Sequence, residues 1–287
     1  PVRTGTFRGQ LTDLLEVRGD ISSQYISALM MTAPVLPQGL RLRLTGKIGS
    51  RPYIDMTRAV MKRFGVHTEW LGENVISIPH QSYRNSDYTI ERDWSAASYW
   101  YSIMAIRGEG EIFLKDLIDD SIQGDRIIAD LMEPLGVQTK FTDQGAMLTS
   151  KTSEASITID FSNCPDLAQT IAVVCAVKGI RCTMLGLESL RIKETDRIAA
   201  LQQELKKLGT VLRETSKNMK WEIEPGEIPA GEITIDTYHD HRMAMSFAPV
   251  AWLRPVVIRD PEVVNKSYPG FWKDLDHAGA AITLISD

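Results

Sequence analysis

The 287-residue chain carries 32 basic and 37 acidic side chains, a net charge of −5, with 43% hydrophobic and 24% charged residues. This is the make-up of a globular enzyme large enough for two domains; the acidic balance excludes a global field for nucleic acid, so any anion must be held by locally placed cations. No run of about 18 apolar residues marks a membrane span, and Cys164, Cys175 and Cys182 lack metal-ligand spacing, which predicts buried thiols in a reducing, cytoplasmic compartment.

In chain order the predicted elements repeat. A small-residue, Met- and Ala-rich helix, apolar on most faces and therefore expected to be buried, starts at Ser22, at Ser95, at Asp166 and at Asp240. These are residue types suited to an N-cap, and they are 73, 71 and 74 residues apart. A strand follows each, at 40–44, 111–114, 181–185 and 255–258. A second, amphipathic helix then ends in a glycine: Gly65, Gly136, Gly209 and Gly279, spaced by 71, 73 and 70 residues. Each glycine fits the left-handed position after a helix C-terminus, and strand-like runs such as 137–141 and 281–285 come next. The unit reads strand, helix, strand, helix, strand, strand, four times over. Met30, Met31, Met243 and Met245 are expected to fill the core. The polar stretch 81–93 reads as a linker, dividing the chain into a first domain at 1–85 and a second at 86–287. Three units can close around a pseudo-threefold core in the second domain. The first unit would be an orphan whose partners precede Pro1, because solenoid-like units cannot bury their faces alone; the absence of an initiator Met points the same way.

The polar residues of interest fall at helix starts: Ser22-Ser23-Gln24, Ser50-Arg51-Pro52-Tyr53, Asp166, Lys193-Glu194-Thr195-Asp196-Arg197, Asp240-His241-Arg242, and Lys266. Lys193 and Arg197 stand four apart, which on a helix places them on one face, where like charges cost about 0.2–0.5 kcal/mol and oppose the macrodipole. A fold gains nothing from that arrangement. A site for a small multiply charged anion gains converging cations and helix N–H groups, and Glu194 between them could move a proton. Ser22 and Asp166 could equally serve only as helix caps. His239 and His241 could form a strand-spaced zinc pair, but no third ligand has suitable spacing, so no metal site is expected.

At these residues the chain closely resembles the EPSP synthase (3-phosphoshikimate 1-carboxyvinyltransferase) family. The matching stretches are Gly19 to Tyr25, Arg51 to Asp55, Leu190 to Arg197, Asp240-His241-Arg242-Met243-Ala244-Met245, and Lys266-Ser267-Tyr268-Pro269. The resemblance implies an α/β fold of α+β repeats, each domain a pseudo-threefold inverse α/β barrel of the enolpyruvyl transferase type, with the active site in the cleft between two domains. It also implies that the first third of a family member has no counterpart here, so that this chain alone is inactive or impaired.

The implied reaction transfers the carboxyvinyl group of phosphoenolpyruvate to the 5-hydroxyl of shikimate 3-phosphate, on the route to chorismate and the aromatic amino acids. Carried over residue by residue, Ser22, Ser23, Gln24, Ser50 and Tyr53 would contact shikimate 3-phosphate. Asp166 would be the proton acceptor near the attacking hydroxyl, and Lys193 would contact the ring hydroxyls or the reacting centre. Arg197 and Arg242 would bind the phosphoenolpyruvate carboxylate, Lys266 its phosphate, with Gln24 also on this substrate. Glu194 would protonate and deprotonate the methylene carbon, and His241 would be a supporting hydrogen-bond donor. Ser189 departs from the asparagine of some members. The resemblance implies no cofactor, no nucleic-acid or membrane partner and a monomer. Two alternatives stay open: the sister enolpyruvyl transferase acting on UDP-N-acetylglucosamine, and RNA 3′-phosphate cyclase-like proteins, against which the charge of −5 argues.

Overall fold

A computed structural model describes residues 9–20 and 22–285. The chain divides into two compact units, Pro1–Ile90 and Glu91–Asp287. No helix among the described residues is long and apolar enough to cross a membrane.

The first unit runs β1 (Leu14–Arg18), α1 (Ser23–Thr32), β2 (Leu40–Thr45), α2 (Arg51–Arg63), β3 (Glu69–Leu71) and β4 (Val75–Ile78). Its sheet has the order β1-β2-β4-β3, with β1 parallel to β2 and the other pairs antiparallel. Strict alternation decides the placement of β2: Leu40, Leu42 and Leu44 point into the core, while Arg41 and Arg43 point out to pair with Asp13 and Glu16 at 2.8 Å each. The two helices lie side by side, and the Ser27 and Thr57 hydroxyls meet at 2.7 Å.

The second unit contains α3 (Trp94–Arg107), β5 (Glu111–Lys115), α4 (Ile128–Met132), β6 (Val137–Thr142), β7 (Gly145–Ser150), β8 (Ser156–Asp160), α5 (Ala168–Lys178), β9 (Arg181–Leu185), α6 (Arg197–Lys207), β10 (Val211–Ser216), β11 (Lys220–Glu224), β12 (Ile233–Ile235), α7 (His241–Phe247), β13 (Val256–Ile258) and α8 (Phe271–His277). The sheet β8-β9-β11-β10 reproduces the connectivity of the first unit's sheet; β5-β7-β6 and β12-β13 are partial copies. Helices α3, α5 and α7 contact one another. Hydrogen bonds tie them: Thr170 to Ser246 at 3.1 Å, and the Lys178 ammonium to the Ala105 carbonyl at 2.9 Å. Small side chains allow that approach, and α5 is buried on all sides.

The strand-helix-strand-helix-strand-strand pattern is complete twice, in the first unit and at β8–β11; the α3 repeat lacks its leading strand and the β12 repeat its last two among the described residues, and four local corrections follow. Asp93, not Ser95, caps α3, accepting from the Ser95 and Ala96 amides; Ser95 turns its hydroxyl to Asp125 instead. Asp166 does not cap α5, which begins at Ala168 after a 3-10 turn, Pro165–Leu167. Residues 281–285 form no ladder, because no strand among the described residues offers them hydrogen bonds. In α1 only Ile26 and Met30 are buried, and Met31 is 51% exposed rather than in the core. One helix pair on one sheet shields one face of α1, whereas α3, α5 and α7 shield each other.

The four helix-ending glycines all adopt positive φ, from +71° at Gly209 to +102° at Gly279. At Gly209 a Cβ would also stand 2.0 Å from the Glu227 carbonyl oxygen, while at Gly279 it would meet nothing within 4 Å. Gly209→Ala should therefore lower stability by about 2 kcal/mol or more, and Gly279→Ala by about 1 kcal/mol. Urea midpoints of the two variants check the difference, and equal losses would mean that the Glu227 contact carries no weight.

Candidate active site

The repeat determines where the functional side chains gather. A parallel strand pair with a helix after each strand starts both helices at the strands' carboxyl ends, where α/β folds place their ligands. In the second unit the parallel pairs β8/β9 and β12/β13 deliver four such starts. The turn after β8 carries Asp166, the segment after β9 carries Lys193, Glu194 and Arg197, the start of α7 carries Asp240, His241 and Arg242, and the turn after β13 carries Lys266. These residues converge in one cluster.

Arg197 is its centre. The side chain is 2% exposed, and its Nε donates to Asp240 at 2.6 Å, Nη1 to Asp166 at 2.9 Å and Nη2 to Glu194 at 2.7 Å. Arg242 donates to the other Asp166 oxygen at 3.0 Å, Lys193 stands 3.6 Å from Asp166, and Lys266 donates to Glu194 at 2.5 Å. Four cations thus face three carboxylates.

The placement of Lys193 corrects the expectation of one helix face. Asp196 caps α6, accepting from the amides of Ile198 and Ala199, so the helix begins at Arg197. Lys193 precedes it in extended backbone with φ −86° and ψ −150°. It meets Arg197 across Asp166, not along a helix, and the carboxylate between them relieves the repulsion.

The charges set the protonation states. Burial alone would raise Asp166, but Arg242, Lys193 and Arg197 hold its carboxyl far below the usual range. Burial is likewise overcome at Glu194 by the Lys266 hydrogen bond and the Arg197 charge, which bring it to about 2. His241 is pushed down to about 4, first by burial and then by neighbouring Arg242, so its imidazole is neutral at pH 7.

Asp240 was expected only as a helix start. It is fully buried, caps α7 by accepting the Arg242 amide at 2.8 Å, and clamps Arg197 with both oxygens. The signal is an arginine on the largely apolar buried face of α6, which requires a counter-charge. Tyr238 and His239, just before it, both adopt left-handed backbone, at φ +55° and +57°, a conformation that costs such residues about 1–2 kcal/mol each.

In the first unit the parallel pair β1/β2 sends α1 and α2 off from one end of the sheet. Ser22 caps α1 through the Gln24 amide at 3.4 Å, and Ser23 and Gln24 open the helix. Ser50 precedes α2 in left-handed backbone at φ +54°, leaving its hydroxyl out of the cap, and Tyr53 lies in the first turn. No group of three or more His, Cys, Asp or Glu side chains that could hold a metal ion occurs among the described residues.

The family model EPSP synthase (3-phosphoshikimate 1-carboxyvinyltransferase) matches residues 6–275. Among curated relatives, a 3-phosphoshikimate 1-carboxyvinyltransferase of Bacteroides fragilis is 47% identical over 273 residues, covering 94% of this chain and 66% of the relative. The protein of that description from Methanothermobacter thermautotrophicus is 35% identical, covering 98% and 64%. The chain thus spans about two thirds of the length of these relatives. A solved EPSP synthase from Acinetobacter baumannii superposes with a TM-score of 0.74 at 21% identity, covering 95% of this chain and 64% of that one. The enolpyruvyl transferase NikO from Streptomyces tendae does so with a TM-score of 0.68 at 14% identity, covering 97% and 66%. These likenesses establish the enolpyruvyl transferase fold.

Acid stability reads the cluster directly. A group held below its unfolded pKa binds more protons when unfolded, so stability falls as pH drops through the interval between the two values. For His241 that interval runs from 6.5 to about 4, and for Glu194 from 4.5 to about 2. Urea midpoints should therefore decline from pH 6.5 downward. Glu194→Gln should flatten the lower part and His241→Asn the upper part; slopes unchanged in either variant would contradict these protonation states.

Proposed function

Because the chain belongs to the EPSP synthase (3-phosphoshikimate 1-carboxyvinyltransferase) family, we propose that it serves the transfer of the carboxyvinyl group of phosphoenolpyruvate to the 5-hydroxyl of shikimate 3-phosphate, with release of phosphate. The observation that carries this reading is that four cations, Lys193, Arg197, Arg242 and Lys266, converge on three of the protein's own carboxylates, Asp166, Glu194 and Asp240, which offset most of their charge. Such a site is already largely compensated when empty and can exchange internal anions for a substrate of similar charge. Phosphoenolpyruvate, with a carboxylate and a phosphate, is of that kind.

In this reading the substrate carboxylate engages Arg242 and the remaining donor capacity of Arg197, and its phosphate engages Lys266. Drawing Arg242 away from Asp166, and Lys266 away from Glu194, weakens the charges that hold both carboxyls down, so both become more basic as the substrate arrives. Glu194 can then carry a proton to the methylene carbon C3, making C2 electrophilic. The 5-hydroxyl attacks C2 and gives its proton to Asp166, forming the tetrahedral intermediate. Return of a C3 proton to Glu194 and cleavage of the C2–O bond, with the Asp166 proton passing to the departing phosphate, complete the exchange. Lys193, beside Asp166, is a cation for the ring hydroxyls or the reacting centre, and neutral His241 is a hydrogen-bonding support.

Ser22, Ser23, Gln24, Ser50 and Tyr53 are assigned to shikimate 3-phosphate, whose phosphate suits hydroxyls and helix N–H groups at the starts of α1 and α2, with Gln24 serving phosphoenolpyruvate as well. The reading further takes the domains as 1–85 and 86–287 and the protein as a cytoplasmic monomer without cofactor.

Phosphate release with both substrates tests the proposal. The protein at the full length of its relatives should turn over in a shikimate 3-phosphate-dependent way. Asp166→Ala should lose at least about 10²-fold in kcat while keeping its circular dichroism. Phosphate release without need of shikimate 3-phosphate would reject the assignment, and near-parental activity of Asp166→Ala would reject it as the base.

A further inference from the structure

A second buried network lies along α6, away from the anion cluster. Glu204 is fully buried on that helix. One of its oxygens accepts the Tyr238 hydroxyl at 2.7 Å; the other accepts the Asp236 amide at 3.1 Å and pairs with Lys207 at 2.7 Å. Lys207 also bridges to the Asp236 carboxylate at 2.8 Å and the Thr234 carbonyl at 3.1 Å. The network grips 236–238, immediately before the residues of the cluster.

What it grips is a conformation the local sequence does not favour. The Asp240 amide donates to the Thr237 carbonyl at 2.9 Å, closing a four-residue turn whose two central residues are the left-handed Tyr238 and His239. Turns of this type are ordinarily built from Asn-Gly or Asp-Gly. A tyrosine–histidine pair persists there only where surrounding contacts over-determine it. Those contacts come from one face of α6. Arg197 and Glu204 are seven residues apart, two helical turns, and so stand above each other. Arg197 holds the turn's far end through Asp240, and Glu204 holds its near end through Tyr238 and Asp236.

We propose that Glu204 and Tyr238 are positioning residues: they hold the left-handed turn that delivers Asp240 to Arg197 and Arg242 to Asp166. The proposal deepens the reading above, since it rests on Arg197 and Arg242 being the cations for the phosphoenolpyruvate carboxylate. A buried glutamate unconnected with the site would have no reason to grip the turn preceding it.

The test uses Tyr238→Phe, which removes one hydroxyl from the network. Two measurements are made on the protein at the full length of its relatives: hydrogen exchange of the Arg197 Nε–H, which is buried against Asp240, by NMR, and phosphoenolpyruvate affinity by calorimetric titration. Tyr238→Phe should speed that exchange, and weaken binding, by about tenfold each. Adding His239→Gly should restore both, because glycine enters the left-handed region without a Cβ. Exchange and affinity unchanged, with only the melting temperature lowered, would overturn the proposal, as would failure of His239→Gly to rescue. Should Tyr238→Phe not fold, Glu204→Gln, which keeps the volume but replaces one of the two acceptor oxygens with an amide donor, is read in the same way. A full-length parent that does not bind phosphoenolpyruvate would count against the functional reading, while the Arg197 exchange would still decide this one.

Discussion

The burial of Arg197 is the constraint on which the second unit turns. Removing a guanidinium from water carries a penalty of several kcal/mol unless its donors are met. Here they are met by Asp166, Glu194 and Asp240, which come from three different segments of the chain. The starts of α5, α6 and α7 are therefore locked to one another by a single side chain. Shifting any one of them leaves a charge buried without its partner. The apolar packing of α3, α5 and α7 provides the bulk of the cohesion, but the arginine determines the relative placement of the helix ends.

This arrangement carries both stability and chemistry. A site of fixed cations alone would repel itself when empty, and one of fixed carboxylates would repel an anionic substrate. Interleaving the two gives a folded state that is stable without ligand and still able to accept an anion by exchange. In the proposed function, carboxylates released from their cations by that exchange would gain basicity when a proton has to move, which would couple binding and proton transfer through the same ion pairs. The repeat makes this economical. Each parallel strand pair presents helix starts at one end of its sheet, and the same scaffold in the first unit presents the hydroxyl-bearing Ser22, Ser23, Ser50 and Tyr53 with the cation Arg51 among them.

Much of this was legible in the residues themselves. The seventy-residue period, the glycines after the second helices and the strand positions follow from backbone rules that act locally, and they recur in the fold. The convergence of Asp166, Arg197, Arg242 and Lys266 was legible because their registers in the repeat coincide. What escaped was decided across space. Lys193 was expected on a helix with Arg197, yet Asp196 captures the first amides and starts the helix later. Met31 was expected inside, but an apolar helix is buried only as far as its neighbours cover it. Asp240 reads from the sequence only as a helix start, and Glu204 carries no local signal at all, since the partners that make them important lie 43 residues away at Arg197 and 34 residues away at Tyr238.

The central claim, that phosphoenolpyruvate displaces internal carboxylates from their cations, is tested most directly by carbon-13 NMR of the Asp166 carboxyl during a pH titration. Without ligand the signal should stay in the ionised position well below the ordinary carboxylate range. With saturating phosphoenolpyruvate its midpoint should move up toward that range. A midpoint that does not move when the substrate is bound would contradict the account.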